Sequence, residues 1–247
     1  MRRGGAQGFT LVELLIVIGI IAIIAAIAVP NLLASKQNAN ETGAIATMRH
    51  IFTAQAQVAV TGKIDADRDG KGEHGTFLEM TGTVGVRRGL VPGVPTTSDF
   101  SSKGELFNPP VLSSVYARVD ANGFATKAGY AYMIFLPDGS TPAGFVHETN
   151  ASGLGAGLAG GSGAVGVDNA EVAWCAYGQP IHYAGSGTRR FFVNQRGDIL
   201  QSPNDRTRRS GVNAPIQPDS AFLGSAITSP IALGTTGRDG EEWRVAN

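Results

Sequence analysis

Near its N-terminus the chain contains a long apolar segment without charged side chains, and this segment limits how the rest can fold. Residues 14–35 are 22 consecutive positions without Asp, Glu, Lys or Arg. As a helix, at about 1.5 Å per residue, they would extend roughly 33 Å, enough to cross the hydrocarbon core of a bilayer. Arg2 and Arg3 precede the segment and are expected to keep that end in the cytoplasm. The sequence therefore predicts one membrane-spanning helix.

A single carboxylate, Glu13, stands at the start of this apolar segment, at the end of the stretch Gly8-Phe9-Thr10-Leu11-Val12-Glu13. A charged side chain at the centre of a membrane helix costs about 2.5–3.5 kcal/mol, and somewhat less near an end. An intramembrane glutamate therefore usually has a partner. A functional role for Glu13 is expected on this ground.

The stretch from Gly8 to Glu13 resembles the class III signal of type IV pilins and type II secretion pseudopilins. The resemblance covers about residues 1–60, and it implies that a prepilin peptidase cuts between Gly8 and Phe9 and N-methylates Phe9. Glu13 would then be the fifth residue of the mature chain, where the family keeps a glutamate. By the same resemblance, Pro30 is a helix-kinking proline, and Glu13 pairs with the α-amine of Phe9 on a neighbouring subunit.

The resemblance implies a structural subunit of a type II secretion pseudopilus. Such a subunit is a single-pass protein of the bacterial inner membrane with its C-terminal domain in the periplasm. An inner-membrane assembly platform adds it to other subunits in a helical filament. A type IV pilus subunit is the alternative within the family. The single cysteine, Cys175, favours the pseudopilin, because many pilins close a C-terminal loop with a disulfide.

Two interpretations compete with a filament subunit. In one, residues 11–24 are the apolar core of an ordinary secretory signal, and Ala26-Ile27-Ala28 is its cleavage site. Ordinary signal peptidase would then release a secreted, soluble, calcium-binding domain that begins at Val29. In the other, the segment is a plain membrane anchor. Neither interpretation gives Glu13 a purpose.

The expected fold class is α+β: a long N-terminal helix, transmembrane and then amphipathic, packed on a Gly-rich antiparallel β-sheet domain. After Pro30 an apolar stripe continues at helical spacing and is expected to face that domain, through Ile45, Met48, Phe52, Ala56 and Val60. Gly62 is a plausible helix end. The predicted organisation is a leader peptide at residues 1–8, the helix at 9–62 with its transmembrane part at about 9–35, and a β-rich domain at 63–247.

Within residues 63–247 the composition predicts short strands and long loops, because the chain has 34 glycines and only 7% aromatic residues. The strand candidates are Gly129–Leu136, Glu171–Tyr177, and a hairpin of Arg190–Asn194 with Ile199–Gln201. The segment 153–166 is so rich in glycine that a flexible surface loop is expected there. From Pro203 onward mostly coil is expected, with Trp243 returning to the core.

An acidic segment follows the predicted helix. Asp65, Asp67 and Asp69 alternate and precede Gly70, as in the first half of a calcium-binding loop. The twelfth position is Thr76, where an EF-hand needs a bidentate glutamate, so an EF-hand is excluded. A shortened calcium loop of Asp65, Asp67, Asp69 and Glu73 remains a hypothesis, with a solvated acidic turn as its alternative.

Composition argues against several other functions. The formal net charge is zero and no basic stripe is present, so no nucleic-acid partner is expected. Cys175 lies in an apolar run and is interpreted as a buried core thiol rather than a nucleophile. With no arrangement of nucleophile, base and metal ligands in the sequence, the chain is not expected to be an enzyme.

Overall fold

The computed structural model describes residues 8–87, 105–150, 157–160 and 165–246, and its longest element is helix α1. Helix α1 spans Leu11–Thr61, which is 51 residues and so about 77 Å. It continues through Pro30 and ends at Gly62, whose φ of 59° is left-handed. Glycine adopts this conformation without steric cost and commonly caps helices. The helix end predicted at Gly62 is therefore confirmed.

The two halves of α1 have different surroundings. From Leu11 to Leu33 the large apolar side chains are 44–78% exposed, whereas Met48, Ile51 and Val58 are fully buried. Among the described residues, α1 is the one helix long and apolar enough to cross a membrane. The first half of α1 therefore projects from the globular domain, and the second half forms part of its core.

The face that α1 presents to the domain differs from the predicted stripe. Met48 is buried as expected, but Val60 is 89% exposed, and Ile45 and Phe52 are only partly buried. Instead, Gln55 lies on the buried face and forms two hydrogen bonds with the backbone of Gly75, at 2.7 and 2.9 Å. A pattern built from apolar residues alone misses such a face, because a buried polar side chain with satisfied hydrogen bonds is tolerated there.

Nine strands form an antiparallel sheet in the described part of the chain. Along the chain they are β1 (Ala125–Lys127), β2 (Tyr130–Pro137), β3 (Phe145–Thr149), β4 (Gly157–Ala159), β5 (Cys175–Pro180), β6 (Arg190–Asn194), β7 (Leu200–Ser202), β8 (Thr235–Thr236) and β9 (Glu242–Val245). Their order in the sheet is β4-β3-β2-β5-β6-β7-β9-β8, with β1 paired to β2. Two short helices, α2 (Phe77–Met80) and α3 (Val167–Val172), and a 3-10 turn (Ser114–Ala117) connect them. The predicted α+β class is confirmed.

The sheet is covered on both faces, which explains the continuous apolar sequence of β2. Alternate residues such as Tyr132 and Ile134 belong to the core under α1, and Met133 and Phe135 belong to a second core. The C-terminal segment covers that second face with Phe222 and Trp243. Trp243 is fully buried, as expected, but the segment also contains β8 and β9 and is not coil throughout.

Strand predictions succeeded where turns bound the strand and failed elsewhere. The segment Gly129–Leu136 becomes β2, and the hairpin of β6 and β7 forms as predicted. The prediction that a strand begins at Glu171 is wrong, because Glu171 lies in α3 and the strand starts at Cys175. An aspartate in the first turn of α3, Asp168, favours the helix through its dipole.

The segment 153–166 is not a loop throughout. Gly157–Ala159 forms β4, which pairs with Thr149 to His147 of β3. Strand pairing uses backbone groups only, so glycine does not prevent it at a sheet edge. Within the segment expected to be flexible, residues 153–156 and 161–164 lie outside the described residues, as do residues 1–7 of the predicted leader.

A buried ion pair attaches the C-terminal segment to the sheet. The Arg190 guanidinium lies 2.7 Å from Asp239, with both side chains fully buried. Arg190 also lies over the ring of Trp243, at 5.4 Å. Asp239 in turn accepts hydrogen bonds from Glu241 N at 3.1 Å and from Trp243 Nε1 at 3.3 Å. This pair therefore joins β6 to the turn before β9.

Replacing Asp239 with asparagine should lower the free energy of unfolding by about 3–5 kcal/mol, because it leaves the buried charge of Arg190 uncompensated. Glu242→Gln is the control, since its pair with Arg244 is exposed to solvent and should contribute little to stability. Chemical denaturation followed by tryptophan fluorescence measures both. Equal losses in the two variants would contradict a stabilising role for the buried pair.

Candidate functional site

The start of α1 is organised by Thr10 and Glu13. Thr10 is the N-cap, and its Oγ1 accepts a hydrogen bond from Glu13 N at 3.2 Å. The Glu13 carboxylate accepts in return from Thr10 N at 2.9 Å and from Thr10 Oγ1 at 2.8 Å. This reciprocal pair is a capping box, which satisfies backbone donors that the first turn leaves free. Within one chain, Glu13 thus has a structural partner that the sequence analysis did not identify.

Gly8 and Phe9 lie outside the helix and contact little. A Cβ atom on Gly8 would have no heavy atom within 4 Å, so the fold does not require glycine there. The Phe9 side chain is 82% exposed. The structure therefore leaves this part of the chain accessible, and the following helix surface from Leu11 to Leu33 is apolar and exposed. An exposed apolar surface of this extent indicates contact with lipid or with another protein.

The globular domain first contacts α1 through polar side chains just after the apolar half. Asn40 Nδ2 donates to the carbonyl of Ser186 at 2.8 Å. The Glu41 carboxylate accepts from Thr188 N at 2.9 Å and lies 2.7 Å from Arg189 Nε. The connection between β5 and β6 is therefore attached to α1 close to residue 40, directly beyond the predicted end of the transmembrane part.

Three of the four predicted calcium ligands come together. Asp65, Asp67 and Asp69 each offer a carboxylate oxygen, and these atoms lie within 4.8 Å of one another. Gly70, with φ of 91°, and Arg68, with φ of 60°, turn the backbone between and after them. Asp65 is buried, and Asp69 is exposed.

Glu73, the fourth predicted ligand, points elsewhere. One of its oxygens accepts from Ala66 N at 2.6 Å, and the other pairs with the buried Arg87 at 2.9 Å. Glu79 lies on the other side of Arg87, at 3.0 Å. Burial raises the pKa of Glu73 to about 7, while the charge of Arg87 acts in the opposite direction. Glu73 therefore closes the base of the acidic loop and does not join its carboxylates.

Two carboxylates that sequence reasoning missed approach the loop from α3. Asp67, Asp168 and Glu171 offer oxygens within 4.8 Å of one another. Asp168 and Glu171 are three residues apart on a helix, which places them on one face. A hydrogen bond of 2.9 Å from His74 N to the Ala170 carbonyl holds α3 against the loop. The Asp-x-x-Glu spacing was a signal for this face, but the strand predicted at Glu171 concealed it.

Lys71 supplies a positive charge to this region. Its ammonium lies 2.7 Å from Asp69 Oδ2 and 3.2 Å from Glu171 Oε2. The hydrogen bond to Asp69, followed by that to Glu171, raises the pKa of Lys71 above its ordinary value. The same hydrogen bond with Lys71 lowers the pKa of Asp69. One ammonium thus bridges the loop and α3.

Comparison with known proteins identifies relatives of the N-terminal part of the chain. A family model described as the prokaryotic N-terminal methylation motif matches residues 3–29. The type IV wide pilus major component PilA4 of Thermus thermophilus is 68% identical over 37 residues, which are 15% of this chain and 28% of the relative. The type IV major pilin protein PilA of Myxococcus xanthus is 43% identical over 49 residues, 20% of this chain and 22% of the relative.

The chain thus spans about a quarter of the length of these curated relatives. No solved structure matches it at a significant level. The segment matched by the family model contains Gly8, Phe9 and Glu13, the residues on which the sequence resemblance was based. This N-terminal region therefore carries the class III prepilin signal of the type IV pilin family.

Proposed function

We propose that this protein is a structural subunit of a helical filament, stored in the inner membrane and assembled from it. The observation that carries the proposal is the apolar surface from Leu11 to Leu33, exposed on a helix that continues without interruption into the globular core. Lipid covers this surface before assembly, and the helices of neighbouring subunits cover it afterwards. The single helix α1 thus connects the core of the filament to the outer globular domain.

The proposed maturation begins at Gly8. Prepilin peptidase cuts between Gly8 and Phe9 and methylates the new amine of Phe9. Arg2 and Arg3 hold the leader in the cytoplasm, so the domain that follows α1 lies in the periplasm. In the filament, the Glu13 carboxylate pairs with the amine of Phe9 on a neighbour, and Pro30 permits the helix to bend during packing. An inner-membrane platform adds each subunit.

Two kinds of filament are candidates, and each is favoured by a different observation. Both named relatives are components of type IV pili, which favours a pilus. The single, fully buried Cys175 cannot form the internal disulfide found in many pilins, which favours the pseudopilus of a type II secretion system. Deleting the gene separates the two: a pilus subunit is required for surface filaments, and a pseudopilin is required for release of exported proteins.

Mass spectrometry of the mature protein tests the proposal. Chain recovered from membranes and from sheared filaments should begin with N-methylated Phe9. A mature chain beginning at Val29 would instead support the secreted, soluble domain released by ordinary signal peptidase. An uncut chain found only in the membrane would support a plain anchor and contradict assembly.

A further inference from the structure

The carboxylates of α3 and of the loop that follows α1 have no role in the proposed filament function. We call Asp65, Asp67, Asp69, Asp168 and Glu171 the acidic cluster. Asp67 belongs to both of the groups whose oxygens converge within 4.8 Å, so it connects the loop to α3. Glu73 N donates to the Ile64 carbonyl at 2.9 Å and closes the loop at its base. The cluster is therefore built from two segments distant in sequence.

Two buried oxygens of the cluster lack a partner among the described residues. Asp65 is 7% exposed and the Glu171 side chain 9% exposed, yet Asp65 Oδ1 and Glu171 Oε1 accept no hydrogen bond. A buried, unpaired carboxylate oxygen is unfavourable, and native proteins rarely contain one without a reason. Among the described residues, the Lys71 ammonium forms ion pairs with Asp69 and Glu171, and its side chain is 66% exposed. The cluster thus holds more negative charge than Lys71 neutralises.

We propose that the acidic cluster binds one calcium ion between the loop and α3. The two unpartnered oxygens, on Asp65 and Glu171, are ligands, with Asp67 between them. All the converging donors are carboxylate oxygens, which hard divalent cations prefer, and neither histidine nor cysteine belongs to either group. Calcium accepts six to eight oxygens in irregular geometry, whereas magnesium requires a tight octahedron. A cluster assembled from a loop and a short helix suits calcium better.

Lys71 competes with the ion for the same oxygens. The ammonium contacts Asp69 Oδ2 and Glu171 Oε2, and calcium binding would displace it into solvent, where the long side chain can extend. The affinity of the cluster for calcium is therefore limited by the need to displace the Lys71 ammonium. This ligand set differs from the one expected from sequence, because Glu171 replaces Glu73.

Calorimetric titration of the purified full-length chain in detergent, after treatment with chelator, tests the proposal with calcium chloride and magnesium chloride as the probes. One calcium ion per chain should bind, at least tenfold more tightly than magnesium, and should raise the melting temperature. Glu171→Gln should weaken calcium binding at least tenfold. Asp198→Asn, which removes an exposed carboxylate from the β6–β7 turn, is the control and should change nothing.

The variant Lys71→Met distinguishes a calcium site from an acidic patch that Lys71 merely neutralises. It tests the proposal even if Glu171→Gln fails to fold. In a metal site, removing the ammonium should increase calcium affinity several-fold. In a lysine-neutralised patch, the same change lowers the melting temperature and calcium does not restore it. The proposal would be overturned if calcium bound neither the wild type nor Lys71→Met. It would also be overturned if calcium bound Lys71→Met no more tightly than the wild type. None of these measurements depends on filament assembly, so a failure of the calcium proposal can be distinguished from a failure of the proposed filament function.

Discussion

Replacing Gly8 with valine is expected to leave the chain uncut, with Arg2 and Arg3 still attached. In the proposed maturation, the peptidase must pass the backbone at residue 8 without a side chain in the way. The fold itself places no such demand, because a Cβ on Gly8 would meet nothing within 4 Å. Loss of processing in Gly8→Val therefore reports on the peptidase and not on folding. Intact mass spectrometry of the membrane fraction distinguishes cut from uncut chain.

Gly19→Val is the matched control for this experiment. Gly19 lies in the exposed half of α1, and a Cβ there also meets nothing within 4 Å. The substitution adds the same side chain eleven positions further on, away from the proposed cleavage point. It should be processed to the normal N-terminus at Phe9. Normal-length mature protein from Gly8→Val would defeat the assignment of the cleavage site.

The features that the sequence predicted well are those with local signals. The apolar run that becomes the first half of α1 needs no partner within the domain to be recognised. Gly62 ends the helix because its own backbone conformation is left-handed, with φ of 59°. The β6–β7 hairpin follows from the turn at Gln195–Asp198, where Gly197 has φ of 82°. Each of these depends on a few neighbouring residues.

The acidic loop was only partly predictable, because its partners are distant in sequence. Spacing alone suggested Glu73 as the fourth ligand. In the structure, however, one Glu73 oxygen forms an ion pair with Arg87 at 2.9 Å. Glu171 reaches the loop only because α3 is held against His74. Neither contact has a signature in the residues around Asp65. A pattern within one segment cannot identify a ligand supplied by another.

The second core was hidden for a different reason. The segment that covers the far face of the sheet has little regular structure, so no apolar period marks it. Phe222 and Trp243 nevertheless pack there with their rings near Phe192, at centroid distances of 5.4 and 6.1 Å. Arg190, a charged residue at the start of β6, is fully buried beside them. Only the three-dimensional position of Asp239 explains why that charge is tolerated.

Replacing Glu13 with glutamine is expected to abolish most filament assembly while leaving membrane insertion unchanged or slightly favoured. Two roles for Glu13 must be separated, because the structure shows it capping α1 through Thr10. Glutamine serves in a capping box as glutamate does, so Glu13→Gln preserves the helix start. It removes only the charge that is proposed to pair with the amine of Phe9 on the neighbouring subunit.

The expected loss is large because the proposed pair lies in a medium of low dielectric constant. Hydrogen bonds to charged groups contribute about 1.5–3 kcal/mol, and about 1.4 kcal/mol corresponds to a tenfold change in an equilibrium constant. Loss of one such bond per subunit contact should lower the yield of sheared filaments about tenfold or more. The amount of processed subunit in the membrane should remain at the wild-type level.

Thr10→Val is the complementary variant, because it removes the capping hydroxyl and keeps the charge of Glu13. Loss of an N-cap side chain costs about 1 kcal/mol of helix stability. The first turn should fray slightly, but the carboxylate remains available to the neighbouring amine, so filaments should form at near wild-type yield. If Thr10→Val prevented assembly and Glu13→Gln did not, Glu13 would act as a cap and the proposed intersubunit pair would be wrong.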